Sequence, residues 1–501
     1  MFFIRIVFNP LNFKGMFKAK INPILIIHFL SIVIAFESLF MFLAVFVSAA
    51  YRETITEKLL FASLFTFLSG VALNVLTKSQ RRVEPSRKES FFIVSISWFI
   101  LGLIGTIPYL VTSAIPDFVN AFFESISGFT TTGSSILADI EALPKSILFW
   151  RAETHWIGGM GIIVLVVAIM PFLNINGIYL FYSEISSVTD EKISTKIRYA
   201  ARDMWLVYIG LTVVEIVFLL VGKMSFFDSV CHAFATVATG GFSTKNDSVA
   251  GFSPYIQYII TLFMLLSGIN FSLHVILLKG KFRTVIKNEE LRLYLIIIVV
   301  VSVTITGLLY FKQHLNPEQA FRDSVFQVVS VLTATGFATA DYLQWPEQAT
   351  LLIALLMLTG ASSGSTGGGV KVIRHLISLK KIRHSFKSLI KPNAVNVIRY
   401  NGSAVQPEYI SGVLAFVILY YFILAVGTLI MMLFGQDAAT SFGASATCMG
   451  GIGPGFGTVG PAGNFLHLPD GAKYFLTLLM VIGRLEIYSV LIIFTRTFWR
   501  F

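Results

Sequence analysis

Charged residues are scarce in this chain, and acids are scarcer than bases. Asp, Glu, Lys and Arg make up 13% of 501 residues, 55% are hydrophobic, and the mean hydropathy is +0.78. A soluble protein of this length would divide into several domains and carry far more charge. The shortage excludes that class and points to a helical integral membrane protein. Only two cysteines occur, Cys231 and Cys448, which leaves no disulfide framework and no thiolate metal site. The 27 acids face 38 bases, for a net charge of +11. In a soluble chain that excess would suggest nucleic acid. Here the bases gather in a few polar links, so they report topology, and no nucleic-acid partner is expected. A Walker-type loop, a dinucleotide fingerprint and a Ser/His/Asp set at useful spacing are all missing. No enzyme chemistry and no cofactor bound to this chain are expected. No small-residue cleavage site follows the first apolar stretch, which is expected to stay as a helix.

What the chain does have is one short phrase in four places: Thr131-Thr132-Gly133, Ala238-Thr239-Gly240, Ala334-Thr335-Gly336 and Gly451-Ile452-Gly453. They recur at intervals of roughly a hundred residues, so the fold should be read by repeat. Each phrase ends a short helical stretch, at 119–128, 227–237, 321–332 and 438–448, set between two long apolar segments. An acid stands near each start: Asp117, Asp228, Asp323 and Asp437. The predicted unit is helix, half-helix, extended loop, helix. Inside a bilayer, non-helical backbone survives only where protein or a water-filled cavity satisfies it. Four such loops around one axis would turn carbonyl oxygens inward to replace the water around a cation. Glycine permits the backbone angles this needs. The partly negative ends of the half-helices would favour the same cation.

The fold class expected is an all-α polytopic membrane protein with four parallel repeats, pseudo-fourfold symmetry and an N-terminal helix pair. The domains are 1–82 (accessory helix pair), 83–178, 179–288, 289–400 and 401–501 (repeats one to four). The pair lies at about 24–48 and 57–76, between bases Arg5, Lys14, Lys18, Lys20 and the run Lys78, Arg81, Arg82, Arg87, Lys88. Repeat helices are expected near 90–112 and 147–173, 204–222 and 254–278, 291–311 and 349–382, and 408–434 and 473–496. The polar links at 174–202 and after 278 carry Lys192, Lys196, Arg198, Arg202, Lys279, Lys281, Arg283 and Lys287. All basic links fall on one side, which gives ten spans with both termini cytoplasmic.

Within 349–382, Thr359-Gly360-Ala361-Ser362-Ser363-Gly364-Ser365-Thr366-Gly367-Gly368-Gly369 cannot stay helical, since each Gly costs about 1 kcal/mol there. At that depth it must line a cavity or be covered by protein. It reads as a movable gate under the filter; the alternative is a small-residue packing surface. Arg484 falls within the last span, where a charge costs about 2.5–3.5 kcal/mol and must face protein or water. It reads as an electrostatic barrier below the filter, or else as half of an interhelical salt bridge. Glu37 and Glu215 are intramembrane carboxylates that suit a proton path or simple packing. His28, His155 and His232 lack clustered partners and read as structural. The basic stretch 371–391 reads as a solvated helix face that could also dock a partner or touch anionic lipid.

Several phrases carry a resemblance. They are Trp156-Ile157-Gly158-Gly159-Met160-Gly161, Gly364-Ser365-Thr366-Gly367-Gly368-Gly369-Val370-Lys371, Ile452-Gly453-Pro454-Gly455, Gly483-Arg484-Leu485-Glu486-Ile487 and Lys391-Pro392-Asn393-Ala394-Val395. The chain resembles the Trk/Ktr/HKT superfamily of potassium transporters, most closely the bacterial TrkH/TrkG membrane subunits. The resemblance implies K+ held by the filter loops and gating at 359–369. It also implies a homodimer in the bacterial inner membrane and control by a cytosolic TrkA-like ring. A nucleotide, NAD or ATP/ADP, would sit on that ring and not on this chain. Gly451 departs from the pattern, where Asn is frequent. Channel-like flow and H+- or Na+-coupled symport both stay open. A polytopic membrane enzyme would need clustered catalytic groups at the interface, and an inverted-repeat transporter would need repeats of opposite topology.

Overall fold

The computed structural model describes residues 21–169 except 82 and 84, then 190–391 and 397–500. Arg5, Lys14, Lys18, Lys20, Arg82, the first part of the 174–202 link with the 178/179 boundary, and Pro392 to Val395 lie outside the described residues.

The leading pair is α1 (Pro23–Ala50) and α2 (Thr56–Leu76). Asn22 starts α1 by accepting the amides of Ile24 and Leu25, with Pro23 at the first turn. The two helices touch at Gly70, where a Cβ would come within 2.8 Å of the Ala35 backbone. A Ser86–Glu89 capping box starts α3 (Arg87–Ile104), and Glu89 also accepts the Asn22 amide at 2.9 Å. The short α4 (Ile107–Val111) leads to α5 (Phe118–Phe129), a buried half-helix, and then to α6 (Lys145–Ile169).

The same order follows three more times. A long helix, α7 (Asp190–Val221), precedes the half-helix α8 (Phe226–Val237), then α9 (Pro254–Ser267), α10 (Phe271–Leu278) and the short α11 (Phe282–Lys287). Next come α12 (Glu289–Gln313), half-helix α13 (Pro317–Leu332), α14 (Glu347–Met357) and α15 (Val372–Ile390). A two-stranded hairpin, β1 (Arg399–Tyr400) with β2 (Ser403–Ala404), precedes α16 (Pro407–Leu433) and half-helix α17 (Ala438–Gly450). The chain closes with α18 (Asp470–Arg484), α19 (Tyr488–Leu491) and α20 (Arg496–Arg500).

Among the described residues six helices are long and apolar enough to cross a bilayer, or eight if each of two bent pairs counts once. Those pairs correct the expectation of single helices near 254–278 and 473–496. Residues 254–278 turn by 95° between α9 and α10, and the last helix turns by 114° between α18 and α19. At the first break Asn270 accepts the Ser272 amide at 2.9 Å and starts a new helix. At the second, Glu486 (φ 59°) and Ile487 (φ 43°) are left-handed without glycine, so composition gave no warning. The helix expected at 349–382 is α14 and α15 with 358–371 between them. The third half-helix starts four residues earlier than expected, because Asn316 caps it and Pro317 opens it. Along the 371–391 stretch Leu379, Ile382, Phe386, Leu389 and Ile390 are exposed beside the basic residues.

Candidate functional site

Each half-helix ends in the same way. The amides of Thr132, Gly240, Thr335 and Ile452 bond back five residues, to the carbonyls of Ser127, Ala235, Ser330 and Thr447. This Schellman-type ending requires a left-handed residue just before it. Those residues are Thr131 (φ 52°), Thr239 (φ 54°), Ala334 (φ 58°) and Gly451 (φ 69°). Two positions later come Gly133, Gly241, Gly336 and Gly453, all at positive φ.

The second loop is therefore one residue out of step with its sequence phrase. Its counterpart of Thr131-Thr132-Gly133 is Thr239-Gly240-Gly241, and Ala238 is the right-handed C-cap of α8. The Ala-Thr-Gly phrase matched the third loop by letter, but backbone angles and hydrogen bonds set the alignment.

In this register the loops close a ring. A Cβ at Gly133 would strike the carbonyl oxygen of Gly240, one at Gly241 that of Thr335, and one at Gly336 that of Ile452. One at Gly453 would lie 3.1 Å from the carbonyl oxygen of Thr132. Each loop's glycine thus backs the middle carbonyl of the next loop, and the fourth backs the first. Side chains tie the same neighbours: Ser134 Oγ donates to Gly453 O at 3.0 Å, and Tyr342 Oη to Gly455 O at 2.7 Å. The Val249 amide donates to Ala338 O at 3.1 Å.

The acids have different jobs. Asp117 and Asp437 cap α5 and α17 through Asn120, Ala439 and Thr440 amides. Hydrogen bonds from the Thr440 side chain and amide hold the Asp437 carboxyl below its ordinary range. Asp228 and Asp323 sit inside α8 and α13 and accept from the returning loops, Thr244 Oγ1 at 2.6 Å and Thr339 Oγ1 at 3.0 Å. In the first repeat Glu124 does this, accepting from Ser135 Oγ and, at 3.0 Å, the Ile136 amide. It also forms a fully buried ion pair with Arg151 at 2.8 Å. Arg151 reaches Ser243 O in the second loop at 3.2 Å, and its guanidinium lies 4.1 Å over the Phe242 ring. This brace went unnoticed in the sequence, although Arg151 falls within a predicted span, the same signal that singled out Arg484.

His155 and His232 lie behind the ring, whereas His28 belongs to the leading helix pair. His155 stacks on Phe242 at 4.1 Å and leaves no room for a Cβ on Gly240. His232 contacts Asp228 O at 2.8 Å and Ser243 Oγ at 3.0 Å, and His28 contacts Thr77 Oγ1 at 3.1 Å. Glu37 and Glu215 are fully buried, as is Glu153.

The interrupted stretch lies against the half-helix ends. Gly367 abuts the Thr333 carbonyl, Gly368 abuts that of Gly450, and Thr366 Oγ1 donates to Val237 O at 3.0 Å. Gly360 and Gly369 face each other, with a Cβ on either 2.9 or 2.8 Å from the other's Cα. Gly364 faces the Asn270 side chain, and its carbonyl accepts the Phe271 amide at 3.0 Å. Ser365 Oγ donates to Ser362 O at 2.6 Å, and Thr359 O accepts the Lys371 amide at 3.0 Å. Arg484 is buried at the end of α18. It donates to Thr366 O at 2.7 Å and to Gly158 O at 3.0 Å, and Gly158 abuts the Phe129 carbonyl at the end of α5. Among the described residues Arg484 has no carboxylate in ion-pair distance. Glu486 pairs instead with Arg374, which the sequence reading places on the solvated basic face of 371–391. Glu290 accepts the Ser363 amide at 2.6 Å.

This geometry can be set beside known proteins. The TrkH profile, described as a cation transport protein, matches residues 55–500. The Trk system potassium uptake protein TrkH of Escherichia coli K12 is 36% identical over 444 residues, covering 87% of this chain and 91% of that protein. TrkH of Vibrio parahaemolyticus is 35% identical over 486 residues, covering 95% and 99%. A crystal structure of the potassium transporter TrkH from Vibrio parahaemolyticus superposes with a TM-score of 0.87 at 33% identity, covering 96% of this chain and all of that one. The family transports and does not catalyse, which sets the membrane-enzyme alternative aside. This multi-pass membrane protein belongs to the TrkH family of cation transport proteins.

Proposed function

We propose that this chain is a potassium-selective uptake pathway across the bacterial cytoplasmic membrane. The ring of loops is its filter, and residues 359–369 are its gate. The observation that carries this reading is the cyclic backing of the carbonyls of Thr132, Gly240, Thr335 and Ile452 by glycine from the preceding loop. A dehydrated cation needs several carbonyl oxygens at fixed spacing, and a ring braced all round supplies them. The four half-helices end at this ring, so their negative ends add to the attraction. The gate reading draws on the contacts of Thr366, Gly367 and Gly368 with three half-helix ends. Arg484 adds a positive charge against the same stretch, where it acts as a barrier to cations. Ten spans, four parallel repeats, cytoplasmic termini and a homodimer controlled by a cytosolic nucleotide-binding ring complete the proposal.

The deciding experiment is rubidium uptake into liposomes containing the purified chain, with K+ and Na+ as competitors. K+ should compete and Na+ should not. Equal competition, or uptake that survives Gly133→Val, Gly336→Val and Gly453→Val, would sink the filter. Shortening 362–368 should raise uptake if the stretch is a gate, and unchanged uptake would remove that role. Proton- or sodium-coupled symport is kept as a second reading because Glu37, Glu153 and Glu215 are buried within the helices. An imposed pH or sodium gradient should drive uphill uptake only if that reading holds.

A further inference from the structure

Two helix breaks meet at one ion pair. On one side Lys371, the residue before α15, is left-handed (φ 79°), and its ammonium contacts Gly367 O. One turn on, Arg374 donates to Val370 O at 3.0 Å, and its guanidinium lies 3.7 Å over the Phe416 ring of α16. On the other side are Glu486 and Ile487, two successive left-handed residues without glycine. Such backbone is costly and persists only where surroundings hold it, most of all at the β-branched Ile487. The Glu486 carboxylate is held by Arg374, across 112 residues. Two residues before Glu486, Arg484 grips Thr366 O and Gly158 O. The pair thus joins the start of α15, which leads out of the interrupted stretch, to the bend that aims Arg484 at it.

Resting on the reading of 359–369 as a gate, we propose that Glu486 and Arg374 form a latch. Their ion pair holds the strained bend after α18, keeps Arg484 on the Thr366 carbonyl, and so keeps the stretch shut. Breaking the pair lets the bend relax, withdraws Arg484 and frees the gate. Movement of α15 on the cytosolic side would release it in the same way. Glu486 and Arg374 are positioning residues that need not touch the ion.

The test is rubidium uptake by the purified chain in liposomes. E486Q and R374Q should each raise uptake severalfold with the preference for K+ over Na+ unchanged. The double variant should rise no further than either single, since both cut one link. The swapped pair E486R/R374E should bring uptake back toward the original level. Cys231 and Cys448 are buried, so a cysteine placed by Ser365→Cys can be read with a water-soluble thiol reagent, and E486Q should speed its labelling. If E486Q does not purify folded, E486D, which draws the carboxylate back by one methylene, should show a smaller rise. Uptake at or below the original level in the folded variants, additive effects, or unchanged labelling would overturn the latch. If shortening 362–368 raises uptake while E486Q and R374Q do not, only the latch falls. If shortening also changes nothing, the gate reading falls with it.

Discussion

At the scale of single residues, the register of the second loop gives the sharpest prediction. Gly240 and Gly241 are both intolerant of a side chain, for different reasons. Gly240 is blocked by the His155 ring, whereas Gly241 is left-handed and faces the Thr335 carbonyl. Gly240→Ala should lose most rubidium uptake and regain a good part of it when combined with His155→Ala. Gly241→Ala should not be rescued by that partner, and equal rescue of both would refute the register. A second prediction concerns Glu124 and Arg151. Removing one partner of a buried pair leaves a stranded charge, at a cost of about 3–5 kcal/mol. Glu124→Ala or Arg151→Ala should therefore lower the melting temperature in detergent by many degrees. A change within error would show that water or rearrangement compensates. The sequence held the glycines and Arg484 in view because unusual residues interrupted an apolar run. It could not show Glu486 and Ile487 as a break, since the strain there is imposed by partners over a hundred residues away.

At the scale of elements, the chain's own punctuation was readable where a side chain fixes the backbone locally. The four half-helices and the interrupted stretch at 359–369 were legible for that reason. The bend between α9 and α10 was not, because one glycine is ordinary in a membrane helix and Asn270 announces itself only once the helix has stopped. That residue offers a test. It caps α10, and its side chain faces Gly364. Asn270→Ala should cost about 1 kcal/mol, the usual value of such a cap. It should also speed labelling at Ser365→Cys, because the same side chain covers the neighbouring stretch. Loss of stability without faster labelling would confine Asn270 to capping.

At the scale of the whole molecule, the outer ties between the first and second loops bear on pH. The Asn246 amide holds the Asp139 carboxyl below its ordinary range, and Glu141 holds the Lys245 ammonium above its own. What Asp139 adds is present above the free carboxyl range and fades as pH falls through the lowered value. What Lys245 adds is present below the free ammonium range and fades as pH rises through the raised value. Between roughly pH 5 and 9 neither changes state. The melting-temperature difference between the chain and a D139N/K245M variant should stay constant across that window. A slope inside it would mean that other groups set the outer face. The overall plan of helix, half-helix and loop was legible because the bilayer permits so few solutions. The neighbour order around the ring was not, because it depends on contacts that no local pattern records.

That order has a further meaning. A row of supports has two ends, where unravelling can begin; a cycle has none. Every loop here is at once the prop of one neighbour and the burden of another, and all four are lengths of one polypeptide. Damage at any quarter should therefore reach the other three, and amide protons in all four should become exchangeable together.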